Sequence, residues 1–80
     1  MIVKLKASTL KRHLAKRNLS QNSFARRIGV TSGYMSQLLC GERNPSPELR
    51  ERIIKKLNDV QKLRELPEFG FDDLFTIRGQ

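Results

Sequence analysis

Apolar residues recur along this chain in helix-like groups separated by polar or glycine breaks. Leu10 and Leu14 are four apart and share one face, with Ala15 beside them, while Lys11, Arg12, Lys16 and Arg17 fill the rest. That pattern predicts a helix from about Ser8 to Arg17. Asn18 can close it, because asparagine tolerates the left-handed backbone of a helix terminus. Ser20 then offers an N-cap for a second helix. Phe24, Ala25 and Ile28 form its inward stripe, Arg26 and Arg27 point away, and Gly29 is the stop. Val30 should be buried in the turn, and Thr31 is the next cap. A third helix is expected from Ser32 to Leu39, with Met35, Leu38 and Leu39 facing in and Cys40-Gly41 ending it.

Pro45 disfavours helix in the residue before it, so the segment from Glu42 reads as a loop. Ser46-Pro47 restarts the chain, serine as N-cap and proline at the first helical position. Leu49, Ile53, Leu57 and Val60 then mark an amphipathic stripe that continues through Leu63. It reads as one long helix running to about Glu65, with a break at Asn58-Asp59 as the alternative. Pro67 stops it. A short helical turn from Asp72 to Phe75, capped by Asp72, is expected in the tail, and residues 2–5 form a possible extended piece. The expected fold class is all-α: a compact bundle of four to five short helices with little or no sheet. Residues 1–80 make one domain, with a core motif at 20–39 and an apolar tail at 67–80.

Charge changes the picture. The net charge is +8, and residues 1–30 hold eight basic side chains and no acid, whereas residues 31–80 hold eight of each. The whole excess sits in the first thirty residues. Such asymmetry points to a polyanionic partner, nucleic acid first and an anionic membrane second. No apolar run approaches the ~20 residues needed to span a bilayer, and the N-terminal segment is too short and charged for a signal peptide. A soluble, cytoplasmic, nucleoid-associated protein is expected.

Helix, glycine turn, helix over residues 20–39 is a helix-turn-helix unit. In such a unit the second helix enters the major groove and its N-terminal residues face base edges. This explains why the third helix opens on small polar residues. A groove about 12 Å wide leaves little room beyond the helix itself. Ser32, Gly33, Ser36 and Gln37 lie off the Met35/Leu38 stripe, and Gln37 can pair bidentately with an adenine edge. No Arg or Lys occupies the leading face of that helix, so the usual guanine reader is missing from it.

The stretch LSQNSFARRIGVTSGYMSQLLCGERNPSPE, residues 19–48, resembles the phage-repressor/Cro-type helix-turn-helix family, also called the xenobiotic-response-element family. The matching pattern is Ser20-Gln21, Phe24-Ala25, Ile28-Gly29-Val30-Thr31, Met35-Ser36-Gln37-Leu38 and Gly41-x-Arg43-x-Pro45. The likeness extends over about residues 7–58. It implies a lambda-repressor-like fold and a sequence-specific regulator of transcription, a dimeric repressor, binding double-stranded DNA through its third helix. It also implies base contacts from Thr31, Ser32, Gly33 and Gln37, with phosphate or sugar contacts from Gln21, Tyr34 and Arg43. Arg12, Arg17 and Arg26, with Lys11, would add sequence-independent attraction. Gly33 departs from the pattern, having no side chain to read with, so a close backbone approach is its expected use.

Other chemistry is thinly represented. One cysteine, Cys40, and one histidine, His13, exclude a disulfide framework within the chain and a cysteine-based metal site. No catalytic residues, metal or cofactor are expected, and the chain does not read as an enzyme. The basic region has no aromatic platform for RNA. The tail residues Phe69, Phe71, Leu74, Phe75 and Ile77 are too apolar to be idle. They either cap the chain's own core or form an interface, with a second copy or with another protein. An antitoxin-like protein that neutralises a toxin and represses its own operon is the alternative function.

Overall fold

The computed structural model describes residues 1–79. In chain order they form β1 (Ile2–Leu5), α1 (Ala7–Lys16), α2 (Gln21–Ile28), α3 (Ser32–Cys40), α4 (Pro47–Leu63), α5 (Phe71–Leu74) and β2 (Phe75–Arg78). Three helices start as their sequences dictate. The hydroxyl of Ser20 accepts from the Ser23 N–H at 3.0 Å, that of Thr31 from Tyr34 at 3.1 Å, and that of Ser46 from Leu49 at 3.2 Å. Each satisfies a backbone donor that the first turn leaves without a partner.

The four longer helices end in one common way. A residue in the left-handed region follows each: Asn18 (φ 54°), Gly29 (φ 78°), Gly41 (φ 85°) and Glu65 (φ 56°). The next N–H then reaches back five residues, Leu19 to Leu14, Val30 to Ala25, Glu42 to Gln37 and Leu66 to Gln61, each at 2.9 Å. This is the Schellman arrangement, which satisfies the last carbonyls while reversing the chain. Three of these stops follow from residue type. Glu65 does not, since a Cβ-bearing acid has no special tolerance for positive φ.

The expected stripes converge on one core. Leu10, Phe24, Ile28, Met35, Leu38, Ile53 and Leu57 are fully or almost fully buried, with Leu14, Leu39 and Leu49 around them. Val30 is half-buried against this cluster rather than enclosed. Along α4 the stripe keeps its four-residue step beyond Leu57 and lands on Gln61, 3% exposed, while Leu63 is 84% exposed. Gln61 is tolerated inside because both amide poles are satisfied. Its oxygen accepts from Arg17 Nε, and its Nε2 donates to the Pro67 carbonyl at 2.7 Å.

The fold is not strictly all-α. β1 and β2 pair antiparallel, Ile2 opposite Arg78 through Leu5 opposite Phe75, as a two-stranded sheet joining the two ends of the described chain. α5 runs directly into β2, which the apolar tail pattern did not distinguish from a helical turn. Phe75, expected in that turn, is the first residue of the strand. Asp72 is not the cap of α5: the Asp73 carboxylate accepts from the Gly70 N–H at 2.7 Å. Leu74 and Phe75 are buried in the core, Phe69 and Phe71 pack against it, and Ile77 is 59% exposed. Asn58 pins the segment after α4 by bonding both backbone groups of Phe69, at 3.0 Å and 2.6 Å.

Beside that pin lies a shallow pocket of about 310 Å³ that includes His13, Arg17, Gln61 and Phe69 in its lining. The imidazole meets Phe69 edge-on, with ring centroids 4.5 Å apart. Burial lowers the His13 pKa from its ordinary 6.5, and Arg17, Lys16 and Arg12 lower it further against a small opposing effect of Asp73. The unfolded chain therefore binds this proton more readily than the folded one.

A thermal melt of Phe75→Ala should show a loss of about 3–5 kcal/mol, whereas Ile77→Ala should stay within about 0.5 kcal/mol. Equal, small effects would contradict the burial difference. For His13 the stability is full above 6.5 and declines as pH falls through and below it. Melts at about pH 7.5 and about pH 5.5 should show a drop that is smaller in His13→Gln; an identical drop in both would exclude His13 as its source.

Candidate nucleic-acid interface

α2 and α3 are joined by Gly29, Val30 and Thr31, and the geometry of that turn aims α3. Gly29 sits at φ 78°, and a Cβ placed there would lie 3.2 Å from Arg52 Nη1. The same nitrogen donates to the Ile28 carbonyl at 2.8 Å, so a side chain from α4 closes the end of α2. Arg52 was invisible as a turn residue in the sequence. The only hint is its place beside Ile53, on the edge of the buried stripe of α4. With α2 stopped there and Thr31 capping the next helix, the first turn of α3 projects outward. Thr31, Ser32, Gly33 and Ser36 are exposed, Tyr34 and Gln37 are half-exposed, and Met35 and Leu38 are buried beneath them.

The expected contact residues fall into three groups. Gln21, at the start of α2, donates from Nε2 to the Ser36 hydroxyl at 3.2 Å, which ties the two helices across their outer surface. Tyr34, Gln37 and Arg43 form the second group: Arg43 Nε donates to Gln37 Oε1 at 2.6 Å, and its guanidinium carbon lies 5.2 Å from the centre of the Tyr34 ring. A cation over an aromatic face is attracted by the ring quadrupole. Arg12 and Arg26 form the third group. Both are exposed, and neither makes an ion pair among the described residues.

Arg17 is placed elsewhere. Its guanidinium bonds Gln61, donates to the His13 carbonyl at 3.0 Å and lies 5.5 Å from the Phe69 ring centre. Burial, and secondarily the Arg64 guanidinium, lowers its pKa. It joins α1 to the end of α4 and the tail. A basic residue at a helix end looks the same in sequence whether it faces solvent or a carbonyl-rich crevice.

Gly33 has nothing within 4 Å of the position a Cβ would take, so nothing inside the protein requires a glycine there. Among the described residues no helix is long and apolar enough to cross a membrane, and no group of three or more His, Cys, Asp or Glu side chains is placed to hold a metal ion.

A family model described as Helix-turn-helix matches residues 10–63. No curated protein and no solved structure matches the chain. The match runs from the first buried leucine of α1 to the end of α4 and so covers the capped turn, the projecting α3 and the helices that support them. The chain belongs to the Cro/C1-type helix-turn-helix family and carries its DNA-binding, transcription-regulating domain.

Proposed function

We propose that this protein is a sequence-specific repressor that binds double-stranded DNA as a dimer, with α3 of each copy in the major groove. The observation that carries this reading is the outward edge of α3. It is small, polar and exposed, and it stands beside two helices whose cations face no acid within the first thirty residues. Phosphates would be met by Gln21, Tyr34, Arg12 and Arg26, and base edges by Thr31, Ser32, Gly33, Ser36 and Gln37. The Thr31 hydroxyl already accepts from the Tyr34 N–H. Its proton remains available to a base or phosphate oxygen.

Dimerisation follows from the size of the reading surface. One helix reads only a few base pairs, and two copies on half-sites about 34 Å apart double that number. Of the tail side chains, Leu74 and Phe75 are taken up by the core, which leaves Ile77, opposite Val3 in the sheet, for a second copy. Repression then needs no further part, since a dimer seated in the groove blocks other proteins by occupancy.

Selection from a random duplex library at about 150 mM salt is expected to return an inverted repeat with half-sites one turn apart. Salt-sensitive binding without enrichment would overturn sequence-specific function. Gly33 supplies a second check. Gly33→Ala should raise helix stability by roughly 0.5–1 kcal/mol yet weaken binding to the selected site about tenfold, because the methyl group intrudes where the helix meets the groove. A variant that is more stable and binds equally well would place Gly33 away from the DNA.

A further inference from the structure

The left-handed stop at Gly41 has an effect beyond ending α3. It folds the chain so that the N–H groups of Glu42 and Arg43 both point to the Gln37 carbonyl, at 2.9 Å and 3.3 Å. The Arg43 side chain is thereby laid back over the outer face of α3. Its Nε reaches Gln37 Oε1 at 2.6 Å while its guanidinium covers the Tyr34 ring. Tyr34 and Gln37 are three residues apart on the same helix, so one planar group spans both.

We infer that Arg43 is a specificity-determining residue, which by holding Oε1 of Gln37 makes the pair read guanine in place of adenine. A glutamine amide has one accepting pole and one donating pole. Adenine uses both, its N6–H₂ donating to the oxygen and its N7 accepting from the nitrogen. The bond from a charged donor, the stronger class of hydrogen bond, takes one of the two lone pairs of Oε1, so the adenine amino group would have to share that oxygen with the Arg43 cation. Guanine presents O6 and N7, two acceptors side by side. They match the Nε2–H₂ of Gln37 and the Nη groups of Arg43, which have no hydrogen-bond partner among the described residues. The orientation of the amide follows from its chemistry: the reverse would set two donors against each other. The guanine reader absent from α3 is thus assembled from its second turn and the loop behind it.

This inference rests on the placement of α3 in the major groove proposed above. The test measures affinities of the unmodified protein, Gln37→Ala and Arg43→Ala for the selected site, with all four bases placed in turn at each position. The position read by Gln37 is the one at which Gln37→Ala loses discrimination. There the unmodified protein should favour guanine about tenfold, and Arg43→Ala should shift the preference to adenine, since Oε1 then accepts from N6 without sharing with a cation and the Arg43 donors for guanine are gone. Arg43 is exposed, so its variant should melt as the parent does. Adenine preference in the unmodified protein overturns the inference while leaving groove binding intact. So does an Arg43→Ala variant that weakens all four duplexes alike and keeps guanine, which would reduce Arg43 to a phosphate contact. Absence of any base preference in all three proteins would overturn the inference together with the groove placement on which it rests.

Discussion

A helix that stops must still satisfy its last carbonyls, and a chain of 80 residues must do this every few turns to build a core at all. Here one solution is used four times. A single residue enters the left-handed region, the following N–H closes back on the carbonyl five residues earlier, and the chain leaves in a new direction. The positions of those residues set where the helices end. The helix ends in turn determine which leucines and phenylalanines can meet. Gly29 aims α3 outward, Gly41 lays the next loop against it, and Glu65 starts the tail on its return to the core. The hydrophobic cluster supplies the stability, but these reversals decide its shape.

Much of this was legible in the residues. Ser20, Thr31 and Ser46 stand directly before apolar periodic runs, and each caps the helix it precedes. Asn18, Gly29 and Gly41 are types that enter the left-handed region cheaply, so three stops follow from chemistry alone. Glu65 was hidden because nothing in its residue type favours positive φ; it lies where Gln61 bonds the Leu66 N–H and the Pro67 carbonyl that follow it. Leu63 misled for a related reason: a leucine near the register of a stripe looks buried. The true continuation was Gln61, whose polarity concealed a site where Arg17 and the Pro67 carbonyl satisfy both poles. β2 was missed because four residues directly after a helical turn carry too short a pattern to announce a strand that pairs with the other end of the chain.

The candidate interface was legible to the same degree. The outward edge of α3 follows from the spacing of its apolar residues, and so does the exposure of Ser32, Gly33 and Ser36. What no spacing rule supplied was the orientation of long side chains. Arg17 turns inward, Arg52 closes α2 from another helix, and Arg43 folds onto Gln37. All three are arginines, and a flexible stem bearing five donors finds its partners through the folded surface more than through its neighbours in sequence. Net charge places the basic excess in the first thirty residues, but it does not say which of those cations face outward.

The terminal sheet has a bearing on how the molecule assembles and opens. Its paired residues lie seventy or more positions apart along the chain, so their pairing closes nearly all of the described residues into one loop. The entropy of such a closure grows only slowly with loop length, but contacts of this separation set in late compared with neighbouring-helix contacts. The contacts that support the helix-turn-helix span much shorter stretches of chain, the bond from Arg52 to the Ile28 carbonyl crossing 24 residues. The strands act as a clasp that holds Phe75 and Leu74 against the helices. Native-state amide exchange would report whether that clasp opens apart from global unfolding.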